Sequence, residues 1–268
     1  AMMEGIDRYH WNLARTFFSL SAVSAVVGII SNFLIVLATV KTRSMRSTCN
    51  MLIALCAIGD IFHQCGTLIQ LPLLFDIHLE IDHDLCIAIM FPAEMGIAIG
   101  SSCILCIGLD RMISVTFPTR YQTLNRRYYY LVCHVLQIPT NIFVSQLFAC
   151  VILVYLVVCE VVSPYSGEGV VYFNYFNVAV NFTSVLVYSI TWRGLKKQAD
   201  ASMMKRIVKS LFIIVAVDVS GWTMTPGTII FLHTLDLSAE QLFAWTYLCT
   251  IFINVSLAVK IFIYYQTR

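Results

Sequence analysis

The stretch CIAIMFPAEMGIAIGSSCILCIGLDRM, residues 86–112, opens on a cysteine, runs almost without charge and closes on Asp110-Arg111-Met112. Two adjacent charges after so much hydrocarbon mark the place where a helix leaves a lipid-like medium for water. Cys86 and Arg111 stand twenty-five positions apart. At about 1.5 Å per residue that is roughly 37 Å of helix, longer than the roughly 30 Å hydrocarbon core, so the two ends lie on opposite sides. The segment reads as the central helix of a bundle, fixed covalently at its outer end and carrying a charge pair at its inner end.

Working outward, 59% of the 268 residues are hydrophobic and only 12% are charged, with a mean hydropathy of +0.81. Such a composition excludes a water-soluble core wrapped in polar surface and points to a polytopic membrane protein. Seven apolar runs are long enough to span a bilayer: about 17–40, 49–75, 85–116, 129–158, 170–192, 207–232 and 242–265. Lipid tolerates helices or closed barrels, and runs of this length predict helices. The expected fold is an all-α membrane protein, one seven-helix domain over residues 1–268.

Charge placement sets the expected orientation. Fourteen of the seventeen Lys and Arg fall at one set of loop ends, among them Lys41, Arg43, Arg46, Arg120, Arg126, Arg127, Arg193 and Lys196. By the positive-inside rule those ends are cytoplasmic. The opposite loops carry acids, including Asp76, Glu80, Asp82, Asp84, Glu160, Asp236 and Glu240. The amino terminus is expected outside and the carboxyl terminus inside. No cleavable signal peptide is visible, and the first run would serve as signal anchor. Ala1 reads as an added residue, and the stop at Arg268 as the loss of a tail.

Of ten cysteines, only Cys86 and Cys159 fall at the predicted outer surface, so they are expected to pair across an oxidising compartment. Cys103 and Cys106 form a C-x-x-C deep in a span, where packing is the expected role. Polar residues inside the spans are the candidates for chemistry. Asn32 in the first helix needs a partner, and Asp60 in the second is one candidate. Glu94 lies about two turns below Cys86, at a depth a ligand from outside would reach, though it could equally be a structural hydrogen-bond donor. Tyr172, Tyr175 and Asn177 in the fifth span could line a polar pocket or form an aromatic belt. The sixth span carries Asp218, Trp222 and Pro226-Gly227, a predicted kink. The seventh holds Trp245 in its outer half and Lys260 near the inner boundary, free either to snorkel or to turn inward to an acid such as Asp60.

Together these residues resemble a rhodopsin-like G-protein-coupled receptor. Gly28 and Asn32 look like the helix-one G-N element, Leu55 and Asp60 the helix-two L-x-x-x-D, and Asp110-Arg111-Met112 the D-R-Y motif. Cys86 takes the place of the helix-three disulfide cysteine, and Pro118 that of the proline seven residues beyond the arginine. Within that superfamily, Arg46 to Leu55, His63-Gln64-Cys65-Gly66, Gly108 to Arg111 and Phe117 to Tyr121 are similar to the nematode Srsx group of chemoreceptors. Met112 replaces the usual tyrosine, the fourth helix lacks its tryptophan and the fifth its proline. Trp222 stands four residues before Pro226 instead of two, which departs from the toggle position. The N-P-x-x-Y motif is written Lys260-Ile261-Phe262-Ile263-Tyr264, so a lysine would neutralise Asp60 and take the place of the sodium ion.

The resemblance implies a plasma-membrane receptor, ciliary in sensory neurons for this subfamily, and not an enzyme. It would bind an extracellular odorant or pheromone and activate a heterotrimeric G protein as helix six swings. An amine or neuropeptide ligand is the alternative. The implied pocket is Gln70, Ala93, Glu94, Ile97, Tyr172, Tyr175, Asn177, Trp222, His233 and Trp245. Coupling falls to Asp110, Arg111, Tyr188, Lys205, Arg206 and Tyr264, and an internal polar network to Asn32, Asp60, Ser256 and Lys260. Lys205 and Arg206 stand where an acidic lock partner is expected, which predicts weak restraint at rest and appreciable basal signalling. The expected partners are the ligand, the G protein and the lipid bilayer, with no nucleic acid, cofactor, metal or catalytic residue. An opsin using Lys260 and Glu94, or a transporter or membrane enzyme using His78, Asp82, His83 and Asp84 as a metal site, would need features placed elsewhere.

Overall fold

A computed structural model describes residues 7–43, 47–75, 81–123, 156–157, 168–196 and 202–266. Their elements, in order, are α1 (Arg8–Lys41), α2 (Thr48–Phe75), β1 (Ile81–Asp82), α3 (His83–Thr116), α4 (Pro118–Thr123), β2 (Leu156–Val157), α5 (Glu168–Lys196), α6 (Ser202–Thr234), α7 (Ala239–Ala258) and α8 (Lys260–Gln266). Among the described residues four helical stretches are long and apolar enough to cross a membrane: Arg8–Lys41, Thr48–Pro72, Leu85–Thr116 and Glu240–Ile263. The long helices pack in sequence, α1 on α2, α2 on α3, α3 on α5, α5 on α6 and α6 on α7, and α7 returns to α1. The run predicted at 129–158 lies outside the described residues except at its end, where Leu156–Val157 is a strand. It pairs antiparallel with β1, Ile81 opposite Val157, so the chain near 156 serves a loop ladder and not a helix end.

Among the described residues, two of the apolar clusters lie toward opposite ends of α3. Toward Arg111, Cys49, Leu52, Cys56, Cys103, Ile104, Cys106, Ile107, Tyr188, Leu211 and Val215 form one core. Cys103 and Cys106 are buried in it and not disulfide-bonded. Toward Cys86, Trp11, Ala14, Phe18, Leu74, Ala244 and Tyr247 form the other. This second cluster explains why α1 begins at Arg8 and not near 17. Trp11, Ala14 and Phe18 repeat at helical spacing, which makes an apolar stripe that buries against α7. Trp11 stacks on Phe243 at 5.3 Å, and Phe18 meets Tyr247 edge-on at 5.5 Å. Arg15 closes the seam by donating to the last carbonyls of α2, Leu74 at 3.2 Å and Phe75 at 2.8 Å, where the helix dipole favours a cation.

Helices α2 and α3 cross on glycine. A Cβ on Gly59 would come within 2.8 Å of the Gly96 carbonyl and 2.9 Å of the Gly100 amide, so the two backbones touch as small residues allow inside membranes. Between α7 and α8 the helix tightens at Val259, whose carbonyl accepts from both the Phe262 amide at 3.1 Å and the Ile263 amide at 3.2 Å, and one helical stretch runs on through Lys260.

Candidate functional site

Lys260 lies on the inside of the bundle, buried at the start of α8. Its ammonium donates to Asp60 Oδ2 at 2.7 Å and lies 2.9 Å from Asp218 Oδ2. All three side chains are buried, Asp218 completely. One cation thus ties three helical elements, α2, α6 and α8. An intramembrane carboxylate costs roughly 3 kcal/mol on insertion scales, so two facing acids require such a partner. Gly100 of α3 adjoins the cluster, since a Cβ there would lie 3.3 Å from Asp60 Oδ1. The residues do not fit a bound sodium ion, because the lysine ammonium already fills the cation position beside Asp60.

From this triad a cavity extends between the helices toward the Arg111 end, lined by Ile107 of α3, Tyr188 of α5 and Leu211, Ile214 and Val215 of α6. Tyr188 is buried and donates to the Ile104 carbonyl at 3.3 Å. Gly108 opposite has no side chain, and a Cβ there would press on the tyrosine ring.

At the end of α3 a second cluster forms from neighbours in sequence. Arg111 Nε donates to Asp110 Oδ2 at 2.8 Å, with Nη2 against the same oxygen. Helix α4 folds back after Phe117 and brings Tyr121, whose hydroxyl donates to Asp110 Oδ1 at 2.9 Å and accepts from Arg111 Nη2 at 3.2 Å. Burial first, and the Asp110 carboxylate next, push the Tyr121 phenol up to about 12, so it stays a proton donor at physiological pH.

Of the residues expected at a ligand pocket, Gln70, Ala93, Glu94 and Ile97 are all buried between helices. Trp222 is half-buried, its ring 5.7 Å from that of His63 on α2. Trp245 corrects the expectation. Its ring lies 5.7 Å from Phe17 of α1 and is 37% exposed, so the rotation of α7 that buries Ala244 and Tyr247 turns it to the α1 side. The side chains of Tyr172, Tyr175, Asn177, His233, Lys205, Arg206 and Tyr264 lie outside the described residues, as does Cys159. Cys86 is buried and disulfide-bonded. The described cysteines Cys49, Cys56, Cys65, Cys103, Cys106 and Cys249 form no disulfide, so its partner falls outside the described residues.

The expected network of Asn32, Asp60, Ser256 and Lys260 is rearranged. Asn32 donates to Gln64 Oε1, at 3.5 Å, and not to Asp60. Gly28 leaves the room for this, because a Cβ there would overlap the Gln64 amide. Ser256 donates to the Ile253 carbonyl of its own helix at 2.8 Å. It faces Gly221, where α6 and α7 approach closely. Sequence reasoning named Gln64, His63, Tyr121 and Asp218 but gave none of them a site role, above all Asp218, an acid in an apolar run that needed a buried cation.

A family model described as "Serpentine type 7TM GPCR chemoreceptor Srsx" matches residues 25–268. A human protein, "Prokineticin receptor 1", is 28% identical over 120 residues, which is 40% of this chain and 30% of that protein. The aligned part thus spans under a third of the human relative. The membrane-length helices, the Asp110-Arg111 pair at the end of α3 and a match over most of the chain agree: it belongs to the Srsx family of serpentine seven-transmembrane G-protein-coupled chemoreceptors.

Proposed function

We propose that the chain is a plasma-membrane chemosensory receptor whose Cys86 end and amino terminus face outside and whose Arg111 end faces the cytoplasm. It binds a small odorant- or pheromone-like molecule and drives nucleotide exchange on a heterotrimeric G protein. The observation that carries this reading is the Asp110–Arg111–Tyr121 cluster at one end of α3, its two charges buried, in a chain matched to a chemoreceptor family. The basic residues of the same end support the orientation. The β1–β2 pairing supports a Cys86–Cys159 bridge, because Val157 lies opposite Ile81 and Cys159 follows two residues later.

Ligand entry from the Cys86 end would reach Gln70, Ala93, Glu94 and Ile97, with His63 and Trp222 below them. A ligand that binds the active bundle better than the resting one shifts a pre-existing equilibrium toward coupling. An amine or neuropeptide ligand is a second reading, favoured by Glu94, a carboxyl-bearing side chain with no exposed surface on α3. Expressed receptor, assayed for G-protein dissociation against volatile and water-soluble small molecules, amines and peptide pools, tests both. A response to neutral small molecules that survives Glu94→Gln supports the first reading. A response confined to cations and lost in Glu94→Gln supports the second, and no response above mock-transfected cells to any pool rejects the receptor reading.

A further inference from the structure

On the reading above, α6 must move for the receptor to signal, and nothing in the sequence motifs says what holds it at rest. Lys205 and Arg206 offer no acid for such a purpose. The structure offers one deeper in the bundle. Near its middle α6 is pinned to α7 by the Gly221–Ser256 approach and by Thr225 Oγ1, which donates to the Cys249 carbonyl at 3.1 Å. Below that point its face toward the Arg111 end borders a cavity. Across this cavity the Asp218–Lys260 contact at 2.9 Å is the one salt bridge that α6 makes among the described residues.

We infer that Asp218 is the resting-state restraint on α6, with Lys260 as its anchor and Asp60 as a competitor for the same ammonium. The three helical elements hold one cation and two acids, so the bridge is shared. Lys260 is fixed to α2 by the shorter contact with Asp60 and reaches α6 by the longer one. Outward displacement of the Arg111-end half of α6 carries Asp218 away from Lys260, while Asp60 keeps the lysine charge-balanced. The bridge to α6 can therefore open without leaving a lone lysine charge in the membrane interior. A carboxylate released this way finds the cavity beside it, which gives it space to take up water.

The two acids then have opposite effects. Asp218→Asn leaves a balanced Lys260–Asp60 pair, so the bundle folds with α6 untethered. Asp60→Asn gives the whole ammonium to Asp218 and tightens the tether. A purely structural role for the triad would move both variants the same way.

The experiment uses full-length receptor in lipid nanodiscs, without ligand, with a fluorophore on Lys209→Cys, an exposed position of α6, and the parent chain labelled identically as background. Nucleotide exchange is measured in parallel on a panel of purified heterotrimers. Asp218→Asn is expected to shift the fluorophore toward a solvent-exposed signal and raise basal exchange at least about fivefold, the lower end of typical coupling effects. Asp218→Glu stays near the parent and Asp60→Asn lowers both signals. An unmoved fluorophore in Asp218→Asn overturns the inference, as does a rise in Asp60→Asn equal to that in Asp218→Asn. A fluorophore that moves with no exchange on any heterotrimer upholds the restraint and rejects the G-protein reading instead. Should Asp218→Asn fail to reach the membrane, Lys260→Asp with Asp218→Lys, which keeps one cation and two acids, is expected to hold both signals at the parent level, and a rise in either would count against the restraint.

Discussion

The two buried charge clusters are built on opposite plans. Tyr121 stands eleven positions from Asp110, and Arg111 is its neighbour, so the cluster at the end of α3 is local. Lys260 is 200 positions from Asp60, and the third member sits on yet another helix. A local cluster follows from helix geometry plus one turn, and it survives any shift of the surrounding helices. A distributed cluster exists only while α2, α6 and α8 keep their register. The first is suited to present a group at the surface in every state, and the second to report or hold one arrangement of the bundle. Their charge counts differ as well, one cation per acid in the first and one cation for two acids in the second.

The largest expected effect comes from removing the shared cation. Lys260→Met leaves Asp60 and Asp218 facing each other in the membrane interior. Breaking a buried pair in this way costs about 3–5 kcal/mol. Thermal unfolding in detergent should show the loss, and Asp60→Asn with Asp218→Asn in the same chain should recover most of it. Parental stability in Lys260→Met alone would mean that the triad is hydrated and the contrast with the α3 cluster is mistaken.

A smaller effect tests the register on which the triad depends. At Gly96 a Cβ would run into the Gly59 carbonyl and come within 2.7 Å of the His63 amide, both backbone atoms that cannot swing away. Gly96→Ala should therefore push α2 off α3 at a cost of about 1–3 kcal/mol. Because Asp60 follows Gly59 directly, a displaced α2 loosens Asp60 from Lys260 and leaves the ammonium to Asp218, so the same substitution should lower basal exchange while leaving the Asp110–Arg111 pair in place. A substitution that destabilises without altering basal exchange would separate register from signalling.

This contrast also marks what could be read in the sequence. Asp110-Arg111 stood out because both charges follow one apolar run. The Lys260–Asp60 encounter was foreseeable, since lone charges at similar depth need partners. Asp218 was visible as an acid in the sixth span, but its partner depends on how three helices rotate about their axes, which no local pattern encodes. Trp245 shows the same limit. Its depth suited a pocket, yet the contact with Phe17 and the burial of Ala244 and Tyr247 decide its direction. The early start of α1 was legible in principle, because Trp11, Ala14 and Phe18 already carry helical spacing in a stretch whose polar neighbours hide it. Gly28 fitted a motif, but the Gln64 amide seated against it appears only once α1 and α2 are packed.

The smallest expected effect tests whether the clusters act independently. Tyr121→Phe removes a hydroxyl that donates to Asp110 Oδ1 at 2.9 Å and accepts from Arg111 at 3.2 Å. The Asp110–Arg111 contact does not need it, so the loss should be about 1 kcal/mol, the net worth of a single hydrogen bond. Converted at about 1.4 kcal/mol per decade, that is at most about fivefold in basal exchange. With its pKa raised to about 12 the phenol keeps its proton until strongly alkaline pH. The ratio of parent to Tyr121→Phe should therefore stay flat between about pH 6 and pH 9, below even the ordinary tyrosine value of about 10. Two clusters that do not share a partner should also be additive. In the double variant with Asp218→Asn, the combined change in basal exchange should equal the sum of the single changes within about 0.5 kcal/mol. A larger coupling would mean that the cavity running from Lys260 past Tyr188 transmits one cluster's state to the other, and the local cluster would then be a responder to the distributed one, not a fixed reference beside it.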